Sequence, residues 1–359
     1  MRKYLIVAIL FLSSCQKETS VDIIQPLDIK GKFLYVSPIH DPVIYGYQAK
    51  MINSDGTGKK LLSNKIVLYS GLTLSHDGKK FIFAVPSASG STDYYVMDID
   101  GQNEILLVGN TEFSPPKWSP DDKKIIFGKR NINNPSYFDI YSIDADGSNE
   151  KRLTDQHLNF SPAFLPDNSG IVFSYSPSEW SGTNNPIYSL YKMNVDGSNK
   201  QPLTTSSKSF TNAVISPDGK KIAALISGSS CSCSEIAVMN IDGTGLQQIT
   251  FGGGLCQSPA WSPDSKMLAY TARSAVNGIH TYTINADGSG NKKLNTAALN
   301  DDFSMWSRDG KYIIHQGPKV ITQAGAGESY IWITRADGLS EISIKTGESS
   351  HIFPVFIEN

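Results

Sequence analysis

Ser216-Pro217-Asp218-Gly219-Lys220-Lys221-Ile222-Ala223-Ala224-Leu225, followed by Asp242-Gly243, is the stretch that decides the fold. A polar turn opens onto an apolar run, and a second tight turn closes the strand after it. Asp accepts backbone hydrogen bonds in such turns, and Gly supplies the positive φ of a hairpin. An apolar run without alternation suits a strand buried on both faces.

Both turns recur. Asp-Gly stands at Asp55-Gly56, Asp100-Gly101, Asp146-Gly147, Asp196-Gly197, Asp242-Gly243, Asp287-Gly288 and Asp337-Gly338, with spacings of 45, 46, 50, 46, 45 and 50 residues. The other turn falls between them, at Ser75-His76-Asp77-Gly78, Ser119-Pro120-Asp121-Asp122, Leu165-Pro166-Asp167-Asn168, Ser216-Pro217-Asp218-Gly219, Ser262-Pro263-Asp264-Ser265 and Ser307-Arg308-Asp309-Gly310. A period of about 40 to 50 residues with four short strands per unit predicts an all-β, seven-bladed β-propeller of four-stranded antiparallel blades, with six blades as the alternative. The fourth strand of each unit is short and charged or amidic, as in Glu150-Lys151-Arg152, which blunts an outer edge against pairing. Gly31 to Val36 enters as a second strand, and Phe353-Pro354-Val355-Phe356 matches an innermost strand. The C-terminal strand should therefore complete blade one and close the ring.

These repeats resemble the Pro-Asp propeller repeats of TolB, of the tricorn protease and of related propellers, over roughly residues 31 to 356. The chain departs from TolB in lacking its N-terminal α/β domain, so the role in the Tol system is not carried over. No hydrolase domain follows the repeats either.

The chain begins with a processing signal. Arg2 and Lys3 precede an apolar core from Tyr4 to Leu12, then Ser13-Ser14-Cys15. This resembles the lipobox of bacterial lipoproteins, with Cys15 as the lipidated residue. Gln16-Lys17-Glu18 resembles the export tag of some surface lipoproteins. The expected organisation is a signal peptide over 1–14, lipidated Cys and linker over 15–30, and the propeller domain over 31–359. The expected address is the cell envelope, as an outer-membrane lipoprotein facing the periplasm or the surface. No apolar run reaches the roughly 20 residues of a spanning helix, so the membrane is met through the anchor alone. With 32 basic and 34 acidic residues there is no basic excess to engage nucleic acid. A monomer is expected.

The repeat also predicts where chemistry would sit. The longest loops, Ser176 to Pro186 and Gly317 to Ser329, share one rim and flank the channel mouth. Five residues before the Trp position the repeats offer Tyr69, Phe113, Asn159, Phe210, Cys256, Asp301 and His351 toward that mouth. Trp180, beside Glu179, suits stacking on a sugar or gripping a peptide, or else forms a small loop core. Asp301 or Asp302 with His351 could perform acid–base work. Seven-bladed oligogalacturonate lyases, which carry similar repeats, use a metal and a His there. The alternative for Asp301 and His351 is satisfaction of rim backbone groups. No cofactor or metal site is expected, because His40, His76, His157, His280, His315 and His351 are scattered. The Asp-x-Asp-Gly turns at Asp98 and Asp144 read as hairpins instead of calcium loops. Trp118, Trp261, Trp306 and Trp332 read as packing. In an oxidising compartment a disulfide from Cys256 to Cys231 or Cys233 is favoured. The functional reading is a binding module for a glycan, peptide or envelope protein. A polysaccharide lyase and a structural envelope scaffold are the alternatives.

Overall fold

The computed structural model describes residues 30–39, 46–68, 72–87, 90–111, 115–130, 137–155, 158–177, 186–205, 207–227, 233–252, 255–274, 278–294, 301, 304–318, 329–348 and 354–358. They form an all-β propeller of four-stranded antiparallel blades. Repeat one comprises Val355–Glu358, Gly31–Pro38, Tyr47–Asn53 and Lys60–Leu61; repeat two comprises Thr73–Leu74, Lys80–Pro86, Thr92–Asp98 and Ile105–Thr111. Repeats five, six and seven start at the inner strands Ser209–Ile215, Cys256–Trp261 and Ser304–Trp306. These five repeats are separate four-stranded sheets. Repeats three and four, from Lys117–Trp118 to Gln201–Pro202, share one eight-stranded sheet.

Seven separate sheets were expected, or six, and among the described residues there are five four-stranded sheets and one of eight. The cause is one parallel pair, Phe138↔Leu158, which joins the third strand of repeat three to the inner strand of repeat four. Repeats five and six make the same contact as an isolated parallel bridge, Ser234↔Leu255.

The second strand of each repeat carries the core. Phe81 to Ala84, Ile125 to Phe127 and Ile222 to Ala224 are buried, with both faces covered by neighbouring sheets. Trp indoles link repeats near the axis. Trp118 Nε1 donates to Thr73 O, Trp261 Nε1 to Val214 O and Trp306 Nε1 to Ala260 O, each at 3.1 Å. Outside, each Asp-Gly turn leans on the outer strand of the repeat before it. A Cβ on Gly101 would lie 3.2 Å from Leu62 O, and one on Gly243 2.4 Å from Leu203 O. Gly56 in the first repeat leans on Ile344 of the last.

The C-terminal strand pairs antiparallel with Gly31–Pro38, from Gly31↔Glu358 to Leu34↔Val355. Phe33 and Phe356 pack across this seam as a tilted ring pair, with centroids 4.9 Å apart. Gly31 is required there, since a Cβ would fall 2.3 Å from Ile357 O and 2.7 Å from the Phe356 ring. At the break between these strands Arg308 Nη2 donates to His76 O at 2.7 Å, joining the turns on either side. His76 and Arg308 occupy the two turns whose second residue departs from the Pro or Leu-Pro pattern of the other four.

Candidate functional site

The inner strands decide which side chains reach the channel. In repeats four, five and six each carries a bulge, with register shifts between Phe160 and Ala163, Thr211 and Val214, and Gln257 and Ala260. Ser161, Asn212 and Ser258 sit in these bulges with positive φ of 49°, 50° and 50°. One extra residue inverts the strand's alternation, so the residue five before the Trp position turns between sheets instead of toward the axis.

The predicted ring of mouth residues is corrected accordingly. Asn159, Phe210, Cys256 and Asp301 are all buried. Each stitches its repeat to the one before. Asn159 Nδ2 donates to Phe138 O, and the backbone N–H groups of Phe210, Cys256 and Asp301 donate to Tyr188 O, Ser234 O and Ile279 O. Tyr69, Phe113, Glu179, Trp180, Asp302 and His351 lie outside the described residues, as does Cys15.

Asp301 is 0 % exposed, and both carboxylate oxygens are engaged. Oδ2 accepts from Thr281 N–H at 3.1 Å and from Thr281 Oγ1 at 3.0 Å. Oδ1 faces His315 Nδ1 at 3.1 Å. On the far side of the ring, Nε2 shares a hydrogen bond with Thr334 Oγ1 at 2.8 Å. In other repeats a threonine does what Asp301 does for Thr281. Thr154, Thr204 and Thr250 accept through Oγ1 from the N–H groups of Ile140, Leu190 and Ile236. Asp301 thus serves inter-sheet packing, with His315 as its partner.

Cys256 is a free, buried thiol, so the disulfide expected from it is not formed. The inverted strand turns its Sγ onto Thr250 Oγ1 and Glu235 Oε2, both at 3.6 Å. Burial, with Glu235 nearby, pushes its pKa from 9.0 up to about 12. Cys233 is disulfide-bonded, to a partner outside the described residues.

Glu235 also shapes the long-loop rim. Its carboxylate accepts from Thr250 Oγ1 at 2.5 Å and from Gly252 N–H at 2.9 Å. Phe251, held between those two residues, is 78 % exposed. Sequence reasoning missed it, although Thr250-Phe251-Gly252-Gly253-Gly254 sets one aromatic residue beside three glycines. The opposite rim also has a cavity, of about 530 Å³, lined by Leu74, Trp261, Pro263, Met305, Arg308 and Phe356 among others. Among the described residues no group of three or more His, Cys, Asp or Glu side chains is placed to hold a metal ion.

The chain belongs to the TolB β-propeller domain family: the family profile described as "TolB beta propeller domain" matches residues 29–309. No curated protein matches it. Among similar solved structures is TolB from Acinetobacter baumannii, with 21 % identity, TM-score 0.55 and 75 % of this chain covered. The chain spans 65 % of that TolB's length. An oligogalacturonate lyase from Vibrio parahaemolyticus is 15 % identical, with TM-score 0.60 and coverage of 88 % of this chain and 86 % of that one. The β-propeller domain of the Trilobed protease from Pyrococcus furiosus is 12 % identical, with TM-score 0.64 and coverage of 87 % and 93 %. Identities this low establish a shared fold.

Proposed function

We propose that this chain is an exported, lipid-anchored binding propeller that recognises a glycan, peptide or envelope protein through its long-loop rim. The observation that carries this reading is Phe251. A phenyl ring that is 78 % exposed, fixed on both flanks by one carboxylate, gains little hydrophobic free energy from folding and is left free to bury against a partner. Rigidly displayed aromatic residues are the usual anchors of interfaces. A photo-crosslinking residue placed at position 251 should capture a partner in intact cells, and one at the exposed Leu339 should not. Equal capture at both positions, or at neither, would contradict the reading.

The lyase alternative is weakened because Asp301 is enclosed and fully bonded; catalysis would have to run on His351 and Asp302 without it. We further read the eight-stranded sheet as two blades joined by the Phe138↔Leu158 stitch, giving a ring of seven. The Asp-Gly turns support this count, since successive repeats lean on one another and the first leans on the last. Cys15 is the proposed acylation site; Cys15→Ser should move the protein from the membrane fraction to the soluble one.

A further inference from the structure

Lys117 stands on the inner strand of repeat three, immediately before Trp118. At the same level the other repeats carry Thr73, Ala163, Val214, Ala260, Met305 and Val355, none of them charged. Trp118 is buried between sheets, while the Lys117 side chain is exposed. On an innermost strand the available solvent is that of the central channel. Among the described residues Lys117 makes no hydrogen bond or ion pair. The protein packed around the channel wall lowers its pKa from the ordinary lysine value of 10.5 by partial desolvation, with no carboxylate acting on it. A positive charge partly withdrawn from bulk water without a counter-charge is destabilising by itself, and such groups cluster at functional sites.

The inner strand of repeat five, two repeats further round the ring, carries a neutral donor. Ser161 Oγ donates to Asn212 Oδ1 at 3.1 Å, which leaves the Asn212 amide N–H groups for the channel, where Asn212 is exposed. Both residues are kept in position by the bulges, whose left-handed backbone is strained for serine and tolerated by asparagine.

We propose that the channel is a binding site for a small organic carboxylate, with the Lys117 ammonium as counter-charge and the Asn212 amide as neutral donor. One lysine matches the single charge of a carboxylate. A phosphate dianion would enter with charge uncompensated, which is costly away from bulk water. Charge-assisted bonds from an ammonium suit a carboxylate oxygen well. The site lies inside the ring and holds whether or not Phe251 engages a partner.

The test is titration of the full chain with butyrate, butyramide and inorganic phosphate, followed by isothermal calorimetry. In parallel, acetic anhydride labelling at neutral pH is read lysine by lysine by mass spectrometry. Lys117 should label faster than the surface lysines, and butyrate should protect it. Lys117→Met should weaken butyrate binding at least tenfold; Met305 occupies the equivalent place in repeat seven, so packing is retained, and the melting temperature checks this. Butyramide and phosphate should bind at least tenfold more weakly than butyrate. Labelling of Lys117 at the surface rate with no protection by butyrate would overturn the proposal. So would phosphate or butyramide binding as tightly as butyrate, or unchanged butyrate affinity in Lys117→Met.

Discussion

Asp301 serves as a threonine would, with the addition of a buried histidine. Asp301→Ala would strip partners from Thr281 N–H and His315 Nδ1, both buried. The expected cost is roughly 2–5 kcal/mol of unfolding free energy, measured by denaturant titration. A change below about 0.5 kcal/mol would fit a rim carboxylate in contact with water. Cys256 provides a separate check. Its thiol, pushed up to about 12 mainly by burial, should resist iodoacetamide in folded protein at mildly alkaline pH and react on unfolding. The sign for stability follows: the unfolded thiol ionises near 9.0 while the folded one stays neutral, so stability is lost as pH rises above that value. Neither environment was legible in the sequence. For Cys256, counting five residues back from the Trp position assumes an unbroken period of two, which the bulge at Ser258 breaks, as those at Ser161 and Asn212 do in repeats four and five; for Asp301, the burial comes with its bonds to Thr281 and His315, partners that lie far away in sequence. Their signal was present but faint, a Ser or Asn three residues before the Trp position in three consecutive repeats.

Strands and turns were more readable. Ser216-Pro217-Asp218-Gly219 folds as its residues predict. Ser216 Oγ donates to Asp218 Oδ1 at 2.6 Å, and Asp218 accepts from Lys220 N–H at 3.1 Å. The Ser216 hydroxyl lowers the Asp218 pKa below its ordinary 3.8. A depressed carboxylate pKa gives stability that is present above the ordinary value and lost as pH falls through the folded one. Ser216→Ala should therefore raise the Asp218 pKa, seen by NMR titration, and flatten the acid side of the stability profile. An unmoved pKa would show that the hydroxyl has no part in it. The outer strands hold one departure. Where Arg152, Pro202, Gln248 and Lys293 guard their edges, repeats one and two present Leu61 and Leu106, and Leu106 is 52 % exposed on a seven-residue edge. Leu106→Lys should leave the melting temperature unchanged and reduce concentration-dependent light scattering. Unaltered scattering would mean that this edge is already covered.

At the scale of the molecule the two-turn repeat carried the architecture, because each repeat encodes the same hairpins and buries the same second strand. The division into sheets was not readable. Whether neighbouring repeats are stitched by one parallel pair, as at Phe138↔Leu158, depends on backbone approach and not on a side-chain pattern. Closure was readable from the ends, since Phe356 falls at the Trp position of a repeat that otherwise lacks an inner strand. The central claim is that this strand locks a continuous ring, and amide hydrogen exchange of Phe33 to Val36 tests it most directly. In the full chain these amides should be among the slowest to exchange, at rates set by global unfolding. Removing residues 354–359 should bring fast exchange at Phe33 to Val36, together with a lower melting temperature and aggregation. Slow exchange at these residues in the shortened chain, with an unchanged melting temperature and a monomeric mass, would contradict the account.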